Sequence, residues 1–341
     1  MPKEQVTIPF FIPHEGCPFT CVFCNQHATS GSKASVDALS IREKVIRYRK
    51  TVASTIKHVE IAFFGGSFTG LSIDSQKNFL KEAYNCLQEG LVSGIRLSTR
   101  PDFISDEIIE IIKEYKVSTI ELGVQSFDDS VLGASARGHT ADDTKLALIK
   151  LKKSKIPFVI QLMPGLPSAS FESDIKSAKQ ACTFKPQGVR IYPTVVVKGT
   201  KLEELYDKKL FKPLSLESAI QLGSSLYEIF TDVAIPVIRM GLHPFAEEQV
   251  SHIIAGPYHT SFGFLVKSRY RRKYLKEQLE LHALEGHTLI KKNVVISIPE
   301  YNIEEYIGYK KDNVQYLQSR FNLNSLKIQY SKRNKLYIYS D

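Results

Sequence analysis

The sequence predicts an α/β protein in which a full or partial parallel (β/α) barrel is followed by a small C-terminal α+β module. Short apolar segments alternate with segments of helical periodicity from residue 7 to residue 242, a pattern typical of parallel βα units. Polar and glycine residues cluster directly after the apolar segments, which is where a βα barrel houses its active site. Residues 293–341 follow a different order of strand, helix, helix and strands.

The predicted elements follow one another as regular units. Strands are expected at 7–13, 58–64, 94–102, 118–127, 156–167, 188–197 and 236–242. Helices are expected near 41–55, 75–89, 106–115, 141–153 and 171–183, with a longer helical excursion before the last strand. We therefore expect a barrel over 1–245, a basic helical connector over 246–292 and a βααβ module over 293–341.

The composition is that of an ordinary globular protein. The 341 residues are 43% hydrophobic and 24% charged, which is enough apolar material for a substantial core. No run of eighteen apolar residues occurs, and no basic-then-apolar leader precedes the first strand. We expect a cytoplasmic protein without a membrane partner.

The net charge of +9 is unevenly distributed along the chain. Residues 251–341 contain 15 Lys and Arg residues and 8 Asp and Glu residues, whereas residues 1–250 are close to neutral. A basic terminal segment favours a polyanionic partner, most often nucleic acid. A solvated basic face is the alternative interpretation.

Three thiols, Cys17, Cys21 and Cys24, lie in the segment GCPFTCVFCNQ, and from one loop they can all turn toward one metal centre. A structural zinc site would require His14 or His27 as a fourth ligand. A [4Fe-4S] cluster held by three cysteines keeps one iron open to a small molecule. A disulfide is a third interpretation, although nothing else in the chain suggests secretion.

The CxxxCxxC spacing, with Phe23 before the last cysteine, resembles the signature of radical S-adenosylmethionine (SAM) enzymes. This resemblance implies a barrel of the radical SAM type, a [4Fe-4S] cluster on the three cysteines and SAM on its open iron. Gly65-Gly66-Ser67 resembles the segment that holds the methionine amino group, where Glu often replaces Ser67. A plain tight turn is the alternative for the two glycines.

The patterns LSTRPD, GVQSF, RGH and QLMPGLP resemble the oxygen-independent coproporphyrinogen oxidase branch of that superfamily. The resemblance implies that Gln125 contacts the ribose or carboxylate region of SAM and that Arg137 pairs with its carboxylate. It also implies that the backbone of Phe23 contacts adenine. Ser98 and Gln161 stand where the family has acidic SAM contacts.

A further set of residues points to the substrate side of the barrel mouth. So many cations favour an anionic substrate, whereas ion pairs with Glu121 and Asp102 are the alternative. The members of this set are Arg100, Glu121, His139, Arg190, Tyr192, Lys198 and Arg239.

The segments STRPD, ELGVQSFD, RGHT, MPGLP and RIYPTVVVKGTKLEELY resemble the radical SAM domain of the elongator catalytic subunit over residues 8–245. This resemblance implies radical modification of an RNA, most simply tRNA, with a low-potential electron donor such as ferredoxin or flavodoxin as a partner. That family usually has a longer gap between its first two cluster cysteines. The residues beyond 245 are too few for its acetyltransferase domain, so acetyl transfer is not expected.

The tail carries the predicted RNA contacts. Residues 256–282 predict a basic helix whose cations are interleaved with Tyr270 and Tyr274, a pattern suited to phosphates and unpaired bases. A helix packed on the barrel is the alternative. Residues 293–341 resemble a K-homology RNA-binding module, with Gly308-Tyr309-Lys310-Lys311 at its turn but no second glycine. The predicted RNA contacts are Lys267, Arg269, Arg271, Arg272, Lys273, Lys310 and Lys311.

Two rival functions remain open on the sequence. One is a radical SAM enzyme that acts on a small molecule, such as a porphyrin-like or other biosynthetic intermediate. The other is a non-catalytic iron-sulfur protein that binds RNA or acts as a sensor. No residue is assigned as the catalytic hydrogen donor.

Overall fold

The computed structural model describes residues 5–12, 15–18, 20–25, 37–53, 55–244, 250–299, 302–332 and 336–341. The first nine strands are β1 (Gln5–Ile12), β2 (His58–Gly65), β3 (Gly94–Thr99), β4 (Thr119–Gln125), β5 (Phe158–Leu162), β6 (Gly188–Ile191), β7 (Val196–Val197), β8 (Val237–Met240) and β9 (Ile253–Ala255). Seven of them form one parallel sheet in the order β1-β2-β3-β4-β5-β6-β8. The sheet curls into a half-barrel, which confirms the partial form of the predicted (β/α) barrel.

Helices connect the strands. They are α1 (Ser40–Thr51), α2 (Ile73–Gln88), α3 (Asp106–Glu114), α4 (Asp129–Ala134), α5 (Ala141–Lys153), α6 (Phe171–Thr183), α7 (Lys201–Asp207), α8 (Leu216–Asp232) and α9 (Phe262–Leu284). Hydroxyl side chains begin several of them, and Thr140 and Ser170 each form a capping box. Such caps satisfy backbone N–H groups that the first turn leaves without a partner.

The two faces of the sheet differ in chemistry because successive side chains of a strand point in opposite directions. Apolar side chains such as Ile61, Leu97 and Leu122 lie in one buried core together with residues of α2, α3 and α5. The opposite, concave face carries charged residues, including Glu60 on β2 and Arg96 on β3.

The predicted strand over 188–197 is interrupted, so that prediction was wrong in its second half. β6 ends at Ile191, and Pro193 follows two residues later. Proline has no N–H to donate to a neighbouring strand and is poorly suited to continue an interior strand. The chain turns away there, and β7 instead pairs antiparallel with β9 outside the main sheet.

A second, smaller sheet lies near the C-terminus. Its elements are β10 (Asn293–Ile298), α10 (Ile303–Ile307), α11 (Asp312–Arg320), β11 (Ser325–Tyr330) and β12 (Tyr337–Ser340). The sheet order is β11-β10-β12, with β11 parallel and β12 antiparallel to the central β10. The predicted order of elements is therefore present in this module.

Helix α9 joins the two parts of the protein. Phe262 and Val266 pack on α8, whereas Leu275 and Leu279 belong to the core of the C-terminal module. The buried Asn313 of α11 also donates a hydrogen bond to the backbone oxygen of Ser268 in α9 (2.9 Å). Among the described helices, none combines the length and apolar composition needed to cross a membrane.

Candidate iron-sulfur and SAM site

The cysteine loop follows β1 and rests directly on the turn after β2. Gly16 has a φ of +67°, and a Cβ there would lie 2.1 Å from the carbonyl oxygen of Ser67. A Cβ on Gly66 would lie 2.0 Å from the oxygen of Glu15, and one on Gly70 would lie 2.1 Å from the oxygen of Gly16. Glycine is required at all three positions because the two backbones touch.

This contact gives Gly66 a structural role. Its N–H donates to Ile12 (2.8 Å), and the N–H of Ser67 donates to Glu15 (2.9 Å). The double glycine therefore supports the cysteine loop, in addition to the SAM contact predicted for it. The predicted contact of Gly65, Gly66 and Ser67 with the methionine amino group stays a prediction.

The other side of the cysteine loop is fixed by later parts of the chain. Val22 donates its N–H to Ser135 (3.1 Å) and accepts the N–H of Leu202 (2.7 Å). The side chain of Asn25 donates to the carbonyl oxygen of Lys198 (3.0 Å). Backbone contacts on both sides hold the loop, which favours a preorganised set of thiols.

Arg137 links the thiols to the sheet. Its Nη1 donates to Cys21 Sγ (3.3 Å) and its Nη2 donates to the carbonyl oxygen of Gly123 (2.7 Å). The guanidinium thus ties the cysteine loop to the end of β4. Burial raises the pKa of the Cys17 thiol, and the Arg137 guanidinium opposes this rise.

The donor set fits an iron-sulfur cluster better than a single zinc ion. The described part of the loop presents three thiols, which would leave one iron of a [4Fe-4S] cluster open. A structural zinc ion requires a fourth protein ligand. His14 and His27, the fourth ligands of the zinc interpretation, lie outside the described residues. The buried cations Arg100 and Arg137 suit the negative charge of a thiolate-ligated cluster.

A cavity of about 290 Å³ opens beside the cysteine loop. Phe23 and Cys24 line it on one side, and Gln161, Tyr192 and His243 line it at the carboxyl ends of β5, β6 and β8. Phe23, Gln161 and Tyr192 were predicted from the sequence. His243 was not, because it lies past the last strand without a recognisable motif.

Gln125 stands at the end of β4 in an unusual conformation. Its φ is +68°, and the pairing of β4 with β5 shifts register between Gly123 and Gln125. The side chain of Gln161 donates to Gln125 Oε1 (3.3 Å). Non-glycine residues at positive φ carry strain and cluster at functional sites. The two predicted glutamines are thus adjacent, and their contact with SAM stays a prediction.

Ser67 belongs to a buried hydroxyl cluster that sequence reasoning missed. Its Oγ lies 2.9 Å from Thr99 Oγ1 and accepts the N–H of Arg100 (3.3 Å), and Thr69 also bonds to Thr99. Ser98 lies on the opposite face of β3, where it is in register with Glu121. Ser67 and Ser98 therefore occupy different environments.

The concave face of the sheet holds a chain of ion pairs. Glu121, with a 4% exposed side chain, accepts hydrogen bonds from Arg96 (2.9 Å) and Arg190 (2.8 Å). Arg96 also pairs with Glu60 (3.1 Å), and Arg190 donates to the Tyr192 hydroxyl (3.3 Å). Glu60 and Arg96 were missed, although a charged residue in the middle of an apolar strand was a usable signal.

The remaining substrate candidates are dispersed. Arg239 is in register with Arg190 on the neighbouring strand. Arg100 is 2% exposed and pairs with Asp102 (2.9 Å), whereas Lys198 is exposed. Burial, with Arg137 and Arg100 nearby, lowers the pKa of His139 to about 3, so this imidazole is neutral at pH 7. Arg100, Glu121 and Arg190 form ion pairs within the chain, as the alternative to substrate binding predicts.

The predicted RNA contacts on α9 all have partners within the chain. Two of them lie near Glu305 of α10, Lys267 at 3.6 Å and Arg271 at 3.8 Å. Two pair with carboxylates of α8, Arg269 with Glu217 (2.7 Å) and Lys273 with Glu228 (2.6 Å). Arg272 lies over the Tyr316 ring, 4.6 Å from its centroid. These contacts hold α9 against α8 and the C-terminal module. Lys310 and Lys311 are exposed in the turn after Gly308, whose φ is +83°. RNA contact by these residues stays a prediction.

Asp174 gives a testable pH dependence near the site. It accepts the N–H of Gly165 in the loop after β5 (2.9 Å), and burial raises its pKa from 3.8 to about 7. Between pH 3.8 and about pH 7, Asp174 keeps its proton in the folded protein but has lost it in the unfolded chain. The free energy of unfolding therefore falls as the pH rises through this window. Asn cannot titrate, so we expect the free energy of unfolding of Asp174→Asn minus that of wild type to rise by about 1.4 kcal/mol for each pH unit of increase in this window.

Urea unfolding at pH 5, 6 and 7 measures this slope. Asp142→Asn is the control, because the Asp142 side chain is 82% exposed. Parallel pH profiles for wild type and Asp174→Asn would contradict the prediction.

Comparison with known proteins agrees with the fold and the cysteine loop. Residues 11–179 match the Radical SAM superfamily, and residues 186–272 match the Radical_SAM C-terminal domain. The chain is 32% identical over 206 residues to the tRNA uridine(34) acetyltransferase of Methanocaldococcus infernus, covering 54% of this chain and 38% of that protein. It is 26% identical over 223 residues to Elongator complex protein 3 of Saccharomyces cerevisiae, covering 57% of this chain and 40% of that protein.

A solved structure agrees with these relatives. The archaeal Methanocaldococcus infernus Elp3 with an N-terminal deletion superposes with a TM-score of 0.63 at 25% identity, covering 80% of this chain and 64% of that one. The chain spans less than half the length of each of the two curated relatives, the tRNA uridine(34) acetyltransferase and Elongator complex protein 3. Family membership implies a [4Fe-4S] cluster and SAM as cofactors, which the thiols beside Arg137 fit. The chain belongs to the radical SAM superfamily of enzymes and is homologous to Elongator complex protein 3 and tRNA uridine(34) acetyltransferase.

Proposed function

We propose that this protein cleaves SAM reductively at a [4Fe-4S] cluster held by Cys17, Cys21 and Cys24, and thereby starts a radical modification of tRNA. The observation that carries the proposal is the cysteine loop itself. It lies at the carboxyl ends of the parallel strands, with Arg137 on Cys21 Sγ (3.3 Å) and a cavity of about 290 Å³ beside Cys24. When bound, the cluster and SAM supply the radical initiation, with ferredoxin or flavodoxin as the electron source.

The residues of the chain divide the remaining work. Phe23 and Gln161 line the cavity, and Gln161 donates a hydrogen bond to Gln125. These three residues position the adenosyl and methionyl parts of SAM. The Arg137 side chain orients Cys21 through its hydrogen bond to Sγ. Apolar residues of the cavity wall such as Val195 and Val197 exclude water from the reacting atoms, which protects a radical from side reactions.

The choice of tRNA as the substrate is supported by the relatives. Two homologues carry names that place their activity on tRNA uridine or in the Elongator complex. The positive charge of residues 251–341 also suits a polyanionic substrate. Because the chain spans under half of those proteins, the modified position and the added group are not carried over.

A small anionic molecule is the second candidate substrate. Arg190 and Arg239 lie side by side on the concave face. Together with Arg96 they form a set of three arginines beside two carboxylates, Glu60 and Glu121. One guanidinium charge is thus not balanced by a carboxylate of this set. Such a surplus attracts a phosphate or carboxylate group.

Formation of 5′-deoxyadenosine by anaerobically reconstituted protein tests the proposal. We expect SAM and a reductant to give a slow rate that rises severalfold when bulk tRNA from the source cell is added. A rate that does not respond to tRNA favours the small-molecule substrate. No 5′-deoxyadenosine from protein with a full complement of iron and sulfide would overturn the radical assignment.

A further inference from the structure

The C-terminal sheet has one face that is not covered by its helices. Val294, Ile296 and Ile298 of β10 are fully buried in the module core. Because side chains alternate along a strand, the neighbouring positions point the opposite way. We call this second surface the open sheet face. Lys327, Tyr337 and Tyr339 are its exposed residues, Val295 and Gln329 are partly buried, and Ser297 at its centre is buried.

Two aromatic rings dominate the open sheet face. Tyr337 and Tyr339 are 36% and 47% exposed, with ring centroids 6.5 Å apart and ring planes 22° from parallel. They lie on the edge strand β12, where they pair in register with Ser297 and Val295. Two nearly parallel exposed rings on a rigid strand form a platform on which flat groups can stack.

The polar groups of the same face suit a nucleic acid. Exposed Lys327 is in register with Val295 and so lies in the same row as Tyr339. Gln329, which donates to Ser297 Oγ (3.2 Å), lies in the row of Tyr337. The three strands, NVVISI, SLKIQY and YIYS, contain no acidic residue. The exposed Asp341 pairs with Asn293 just past β12 and falls on the same face as Tyr339. Lys327 lies across β10 on the opposite edge strand, so phosphates would meet the cation at the β11 edge.

The cations of α9 make a contrasting case. Arg269 and Lys273 reach carboxylates of α8 at 2.7 and 2.6 Å, and Lys267 and Arg271 lie near Glu305 of the module. RNA phosphates would have to compete with these intramolecular pairs. On the open sheet face the two rings are exposed, and Lys327 forms no ion pair with the residues that the structure describes.

We infer that the open sheet face binds unpaired bases of RNA by stacking on Tyr337 and Tyr339, with Lys327 at the phosphate backbone. RNA is favoured over a protein partner because the face presents aromatic, amide and ammonium groups rather than a continuous aliphatic patch. The inference rests on the proposed function only where it names tRNA as the RNA. It assigns to the module the role of holding the substrate while the barrel performs the chemistry.

Fluorescence anisotropy with labelled RNA tests the inference on the full-length protein. The probes are bulk tRNA, a single-stranded oligonucleotide and its duplex. We expect Tyr337→Ala/Tyr339→Ala to weaken binding of tRNA and of the single strand by at least about tenfold, since base stacking contributes about 1–3 kcal/mol per base. The pair Tyr337→Phe/Tyr339→Phe keeps both rings and is expected to bind within about twofold of wild type.

Two further variants separate stacking from other causes. Phe171→Ala removes a ring of similar exposure (43%) from the start of α6 on the barrel, and we expect it to bind as wild type does. Lys327→Ala is expected to reduce the slope of log Kd against log salt by about 1. Unchanged circular dichroism of each variant shows that the module is folded.

The outcomes separate this inference from the proposed function. Unchanged affinity of the double alanine variant, equal affinity of wild type for the duplex, or no RNA binding by wild type overturns the inference. An equal loss caused by Phe171→Ala also overturns it, because the effect would then not be specific to the open sheet face. Tyrosine-dependent RNA binding without any tRNA effect on 5′-deoxyadenosine formation supports the inference while the tRNA assignment fails.

Discussion

Cys21→Ala is expected to reduce 5′-deoxyadenosine formation to the level of a protein-free control. Cys21 is 5% exposed and accepts the hydrogen bond of Arg137 Nη1 at 3.3 Å. The described part of the cysteine loop offers three thiols, so removing one leaves too few ligands for a cluster with a single open iron. The measurement is anaerobic turnover of SAM, together with the iron and sulfide content of the reconstituted protein.

Cys182→Ala is the matched control for this loss. Cys182 is a free, partly buried cysteine in α6 that packs against the main core, away from the cysteine loop. Its replacement is expected to leave the iron content and the rate of SAM cleavage unchanged. Retained cleavage of SAM by Cys21→Ala would refute the ligand assignment.

Glu121→Gln is expected to lower the free energy of unfolding by about 3 kcal/mol, because it removes a buried carboxylate shared by two partly buried arginines. The loss lies at the low end for a buried ion pair because Arg96 keeps its pair with Glu60. The Glu121 side chain is 4% exposed, and those of Arg96 and Arg190 are 11% and 21% exposed. Water therefore screens these pairs poorly, and the lost charge cannot be replaced by solvent. Denaturant unfolding followed by circular dichroism measures the change.

A surface ion pair provides the comparison. Glu89 and Arg42 form a pair of similar length (2.8 Å), but their side chains are 42% and 50% exposed. Glu89→Gln is expected to leave the free energy of unfolding close to that of wild type, because water screens an exposed ion pair. Equal losses for Glu121→Gln and Glu89→Gln would show that the network of the concave face does not stabilise the barrel.

The two predictions act on different levels of the protein. Cys21 is needed for the cofactor, whereas Glu121 accepts a hydrogen bond from Arg190, which in turn donates to Tyr192 in the cavity wall. Loss of the network is therefore expected to reduce stability before it affects SAM cleavage. Comparing both readouts for both variants distinguishes a ligand from a positioning residue.

The sequence by itself determined the parts of this protein that depend on local pattern. The alternation of apolar strands with periodic helices predicted the (β/α) sheet, since both periods are set by backbone geometry. The spacing of Cys17, Cys21 and Cys24 predicted a shared ligand site because three residues of one short loop can reach one point. The candidates Phe23, Gln161 and Tyr192 were found because they follow strand ends or the cysteine motif.

Only the tertiary structure decided which distant residues meet. Arg137 reaches Cys21 across 116 positions of sequence, and Glu121 joins Arg96 to Arg190 from three different strands. The cations of α9 look like an RNA-binding stripe in the sequence, yet they face carboxylates of α8 and α10. Charge and spacing define what a side chain can bind, whereas packing and strand order determine which partner lies within a few ångströms.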